Sequence, residues 1–139
     1  MNSNLTKKIV TIGALIVMCF STSVHAENTP LAKQKCIPCS YAVPALKGDI
    51  LITLQEELDS EWEIVDEQYL QREFLFEDFG SALEFTVALG AIAEEEGHHP
   101  DIQLSYGRVL VLIWTHKSQG LTESDFILAA LIDAYLKGN

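Results

Sequence analysis

Positive charge is scarce in this chain. Nine Lys and Arg stand against 20 Asp and Glu, a formal net charge of −11 over 139 residues. A nucleic-acid-binding surface needs basic side chains to displace counterions from phosphate, and docking to anionic lipid needs a polybasic patch; the composition argues against both. Cysteine is scarce too. Three residues, Cys19, Cys36 and Cys39, leave no second CxxC pair with which to close a four-cysteine zinc site. The long uncharged apolar stretch at residues 9–20 is shorter than the roughly 20 residues a membrane-spanning helix requires. No Gly-x-Ser-x-Gly elbow, P-loop, GxGxxG or HExxH occurs, which disfavours nucleophilic, phosphoryl-transfer and nicotinamide chemistry. What is present is ordinary for a globular protein: 48% hydrophobic and 21% charged residues, on a length that suits one domain.

The charge is unevenly spread. Residues 1–26 hold Lys7 and Lys8 and no acidic residue, so without them the net charge goes from −11 to −13. Lys7 and Lys8, the apolar stretch, and Val24-His25-Ala26 before Glu27 read as a secretory signal peptide over 1–26. The chain is then expected to be periplasmic or secreted, with no membrane attachment after cleavage. An uncleaved anchor is one alternative. A start at Met18 is another; it would remove most of the apolar stretch and leave a cytoplasmic protein. A lipoprotein at Cys19 is weaker, because Met18 stands where a small residue is expected. Residues 27–47 form a lead-in that carries Cys36 and Cys39, and residues 48–139 form the domain proper. Ser40 in place of His rules out haem attachment, and the lead-in is not a strand-to-helix turn of the thioredoxin kind. A local Cys36–Cys39 disulfide in an oxidising compartment, or two thiols in the cytosol, is the expected state.

From residue 49 the periodicity predicts a helix over 49–58, a strand over 62–65, a turn at 66–68 and a second strand over 69–76. Asp78 is a natural N-cap for a long helix that Gly97 ends. A strand over 101–105, a turn at Tyr106-Gly107 and a strongly apolar strand over 108–115 follow. That strand is expected to be covered on both faces, by helices on one and by a second subunit on the other. Thr122-Glu123-Ser124-Asp125 resembles a capping box that opens a last helix. The order α-β-β-α-β-β-α predicts an α+β domain: a four-stranded antiparallel sheet with three helices packed on one face.

After residue 26 the histidines are His98, His99 and His116. The second hairpin brings residues near 98 and 116 to one end of the sheet. Glu94 stands four residues before His98 and is expected to share its helix face. Asp125 opens the last helix nearby. Imidazoles give and take protons near neutral pH, and a carboxylate beside one fixes its tautomer. Pro100 biases His99 to extended backbone, so His98 and His99 should point apart and do different work. Simpler readings stand beside this one. His-His-Pro can be loop surface, Asp125 a capping residue, and Glu94 to Glu96 a solvated helix end. Zinc on the three histidines is conceivable, but adjacent histidines are awkward joint ligands.

These residues resemble a known family. Glu94-x-x-x-His98-His99-Pro100, Tyr106 after five more residues, His116 after nine and Asp125 after eight match the signature of the pterin-4a-carbinolamine dehydratases. Trp62-Glu63, the Arg72 to Phe79 segment (REFLFEDF) and Gly120-Leu121-Thr122 through Phe126 resemble further family segments, over about residues 36–136. The CxxC lead-in resembles many bacterial members, whereas the signal-like segment departs from a typically cytosolic or nuclear family. The resemblance implies loss of water from a 4a-hydroxytetrahydropterin to give a quinonoid dihydropterin, as in tetrahydrobiopterin recycling. It needs neither metal nor redox cofactor. It implies a homodimer or homotetramer and a site drawn from His98, His99, His116, Glu94 and Asp125; within that set we assign His98 and His116 as the acid/base pair, His99 as the main substrate-binding imidazole, and Glu94 and Asp125 in support. Two other classes remain: a non-catalytic binding or assembly module on the same fold, and a periplasmic metal-binding protein.

Overall fold

The computed structural model describes residues 29–37 and 43–138. The expected signal, residues 1–26, and Cys39 with its expected disulfide lie outside the described residues.

Three helices and one sheet make the domain. Helix α1 spans Asp49–Gln55, strand β1 Glu63–Val65, β2 Tyr69–Leu75, α2 Phe79–Glu96, β3 Asp101–Ser105, β4 Arg108–Ile113 and α3 Glu123–Gly138. The sheet order is β1-β2-β4-β3 with every neighbouring pair antiparallel. The two hairpins are thus joined through β2 and β4 at the centre. This is the α+β architecture that the alternation of periods predicts.

Register explains the core. Leu70, Arg72 and Phe74 of β2 stand opposite Ile113, Val111 and Val109 of β4, and Ile102 and Leu104 of β3 stand opposite Val111 and Val109. Alternate residues share a face, so this set forms one apolar surface under α2 and α3. There it meets Leu89, Phe85, Phe126, Leu128 and Ile132. The other face carries Gln71, Glu73, Leu110, Leu112 and Gln103. Leu110 and Leu112 are only half-buried and Leu75 is 77% exposed. Within the single chain the inward Val109, Val111 and Ile113 of β4 are fully buried under the helices, and its outward residues are not.

Helix α2 starts where Asp78 accepts a hydrogen bond from Ser81 N at 2.8 Å. That bond and its neighbour at Gly80 hold the Asp78 carboxyl below its ordinary value. The helix ends at Gly97, which is left-handed at φ 61°. Gly107 closes the β3–β4 turn at φ 64°, where a Cβ would sit 2.8 Å from the Phe76 carbonyl oxygen.

Strand β1 begins one residue later and β2 ends one residue earlier than the periodicity predicts, and two ends differ by more. Helix α1 stops at Gln55 rather than 58 and finishes in turns. Strand β4 stops at Ile113, because Thr115 turns away to bridge Gly120 and a 3-10 turn at His116–Ser118 follows. The lead-in is not a loose tether. It forms a 3-10 turn at Leu31–Lys33, and Leu31 enters the core beside α3.

Candidate functional site

The site lies where α2 ends, β3 begins, β4 ends and α3 begins. The left-handed Gly97 turns the chain back, and the His98 N–H bonds the Ala93 carbonyl at 3.1 Å. This reversal breaks helical spacing and sends His98 inward. His98 is 1% exposed and Asp125 is fully buried; their Nε2 and Oδ1 atoms are 2.6 Å apart. An ionised carboxylate only accepts, so with Asp125 ionised the bond is donated by Nε2–H.

The second Asp125 oxygen is equally committed. Oδ2 accepts from Thr122 N at 2.6 Å, Thr115 Oγ1 at 2.8 Å and Thr122 Oγ1 at 3.2 Å. Capping residue and support for a histidine were competing readings of Asp125; one oxygen serves each. Thr115 and Thr122, themselves 2.9 Å apart, belong to this network. Sequence reasoning missed Thr115, and only the capping-box pattern pointed to Thr122.

Glu94 pairs with His99, not with His98. The His99 Nε2 and Glu94 Oε1 atoms are 3.1 Å apart, with side chains 58% and 78% exposed, a surface pair of small energetic weight. The expectation of a shared Glu94–His98 face is corrected by the Gly97 reversal. His98 and His99 do point apart, one inward and one to solvent. His116 is exposed at the start of its 3-10 turn, with its ring centroid 4.3 Å from that of Trp114. Trp114 Nε1 in turn donates to Asp101 Oδ2 at 3.2 Å. Trp114 and Asp101, neither singled out from the sequence, also line a half-open cleft of about 270 Å³ with Gln68, Tyr69 and Leu112 on the open side of the sheet. Among the described residues no three of His, Cys, Asp and Glu gather as a metal site would require. Nor is any helix among them long and apolar enough to cross a membrane.

A buried imidazole–carboxylate pair, two exposed imidazoles and an aromatic cleft thus share one end of the sheet. Residues 46–135 match the family described as pterin 4 alpha carbinolamine dehydratase. The chain belongs to that family. A protein of Alkaliphilus metalliredigens, whose own assignment as a pterin-4-alpha-carbinolamine dehydratase is provisional, is 47% identical over 103 residues, covering 74% of this chain and 93% of the relative. A similarly assigned protein of Rubrobacter xylanophilus is 48% identical over 103 residues, covering 74% and 95%. Among solved structures, a crystal structure titled transcriptional coactivator/pterin dehydratase from Brucella melitensis superposes with a TM-score of 0.60 at 33% identity, covering 64% of this chain and 95% of that one. The matched span contains Glu94, His98, His99, His116 and Asp125.

Proposed function

We propose that the chain dehydrates 4a-hydroxytetrahydropterins. An acid protonates the C4a hydroxyl, which leaves as water; a base takes the N5 proton; the product is the quinonoid dihydropterin. Two proton-transfer groups complete the balance. The observation that carries the reading is the His98–Asp125 pair, with the exposed His99 next to His98 in the chain and the exposed His116 against Trp114, which lines the cleft. His116 and His98 are assigned the acid/base work and His99 the holding of the pterin, with Glu94 and Asp125 in support. His99 and His116 are reachable as they stand. His98 is 1% exposed, so its part requires the pterin to settle against it, and catalytic contacts commonly tighten only when substrate is bound.

The test is decay of a 4a-hydroxytetrahydropterin in the presence of the purified chain. Acceleration by wild type, and a loss of about 100-fold or more in His99→Ala, supports the proposal. Equal rates for wild type and the triple histidine-to-alanine variant remove it. A His98→Ala variant that keeps its kcat transfers the acid/base work to the two exposed imidazoles.

A second reading is an assembly module on this fold. It is favoured by apolar residues left in solvent along α2, Phe79 at 45%, Leu83 at 43% and Val87 at 65% exposed, together with the uncovered sheet face. It predicts that partner capture survives the triple histidine variant. The same surfaces suit a homodimer or homotetramer, which sedimentation of the purified chain would reveal. Residues 1–26 are proposed as a cleaved signal, and the N-terminal mass of the native protein decides between cleavage and a start at Met18.

A further inference from the structure

Burying a carboxylate at the C-terminal end of a helix is unfavourable twice over. Desolvation penalises the charge, and the helix dipole opposes it there. Glu96, the last residue of α2, is such a group, only 7% exposed, although its place in a run of three glutamates suggests a solvated end. The lead-in accounts for it. Lys35 Nζ donates to Glu96 Oε1 at 2.6 Å and to Glu95 Oε1 at 3.2 Å, and the Cys36 N–H donates to Glu96 Oε2 at 3.0 Å. Burial alone would raise the Glu96 carboxyl, but these bonds outweigh it and hold the group below its ordinary value.

The lead-in grips α3 as firmly. Ile37 N donates to Ser124 Oγ at 3.0 Å, Ser124 Oγ donates back to the Ile37 carbonyl at 3.3 Å, and the Cys36 thiol reaches the Ser124 carbonyl at 3.4 Å. Glu96 stands two residues before His98, and Ser124 immediately precedes Asp125. Three consecutive lead-in residues therefore tie together the same two helix ends whose next residues form the 2.6 Å His98–Asp125 contact.

We propose that Lys35, Cys36 and Ile37 form a clasp that sets the alignment of the His98–Asp125 pair, with Glu96 and Ser124 as positioning residues. The inference rests on the dehydratase reading for its kinetic consequence and on geometry alone for its effect on His98. The clasp runs parallel to the His98–Asp125 contact. Releasing it leaves that contact and the Thr115–Thr122 network to hold the end of α2 against the start of α3. A displacement of about 1 Å at a reacting group can cost up to 100-fold in rate, so small slack at this junction is enough to matter.

The test uses the full chain, with Glu96→Ala, Glu96→Gln and Ser124→Ala. Glu96→Gln keeps an acceptor for the Cys36 N–H but loses the charge opposite Lys35. Ser124→Ala removes only the Ser124 hydroxyl's bonds to the Ile37 backbone and guards against a Glu96→Ala that fails to fold. Imidazole nitrogen–proton spectra read the His98 Nε2–H resonance directly, and amide exchange at Cys36 and Ile37 reads the clasp. In Glu96→Ala the clasp amides exchange quickly, and the Nε2–H resonance moves and broadens. The kcat falls roughly ten-fold with little change in KM and an altered pH profile. Glu96→Gln recovers part of each effect, and Ser124→Ala shows the same changes more weakly. Fast exchange at Cys36 and Ile37 with an unmoved Nε2–H resonance overturns the proposal, leaving the clasp a purely structural tie. If wild type fails to dehydrate the carbinolamine, the dehydratase reading fails while the spectra still decide the clasp.

Discussion

Helix α3 buries two aspartates eight residues apart, and they do different things. Asp133, 5% exposed, accepts from Trp62 Nε1 at 2.9 Å, Arg72 Nη1 at 2.7 Å and Asp59 N at 2.9 Å. Arg72 continues to Glu61 at 2.6 Å and lies over the Phe74 ring at 4.5 Å. Asp125, fully buried, accepts from His98 and from Thr115 and Thr122. Both carboxylates are saturated with hydrogen bonds, so burial and bonding alone do not separate structure from chemistry. The partner does. A guanidinium keeps its charge throughout the working pH range, which makes Asp133 a brace with one state that ties β2, α3 and the segment just before β1. An imidazole carries two ring nitrogens, either of which can give or accept a proton, which makes the Asp125 node able to take part in a reaction. The Asp125 node also adjoins the exposed imidazoles along the chain, His99 directly following His98 and His116 directly following Thr115.

Substitutions can break that contrast. The largest effect on stability is expected from Asp133→Ala, which takes the buried acceptor from Arg72, Trp62 and the Asp59 N–H and leaves Arg72 only its more exposed carboxylates: about 3–5 kcal/mol in denaturant unfolding, with the rate per folded molecule unchanged. Loss of activity in the folded fraction of Asp133→Ala would dissolve the distinction. Thr115→Val removes one donor to Asp125 and is expected to cost about 1–2 kcal/mol while also lowering kcat, because it loosens the orientation of His98. Asp78→Ala, at the far end of α2, should cost about 1 kcal/mol through loss of the cap and leave kcat untouched. The smallest effect is local. Glu96 sits below its ordinary value of 4.5 in the folded chain, so its contribution to the clasp is complete above that value and is lost as pH falls through the lower folded value. The Cys36 amide resonance should keep its hydrogen-bonded position at neutral pH and lose it only under acid conditions.

Much of this could be seen in the chain before any coordinates. Period-2 and period-3.6 patterns, Asp78, Gly97 and the Tyr106-Gly107 turn locate the elements, because each is a local signal. The signature spacing names His98, His99, His116 and Asp125 for the same reason. What escaped is non-local. The Glu96 contacts with Lys35 and Cys36 span about 60 residues and those of Ser124 with Ile37 span 87, and no pattern within a helix announces such a partner. The i, i+4 spacing of Glu94 and His98 holds only while the helix lasts, and the left-handed Gly97 ends it first, leaving Glu94 to His99. Trp114 looks like any apolar strand residue until β4 ends one residue before it and its ring lies against His116.

The most direct measurement is the rate of 4a-carbinolamine dehydration by Asp125→Asn, taken with its thermal melt. The substitution preserves shape and withdraws the carboxylate from His98. The account predicts a folded protein whose rate falls by about 100-fold or more. A folded Asp125→Asn with a rate within a few-fold of wild type would contradict it, and the His98–Asp125 pair would then be a second structural brace like the one at Asp133.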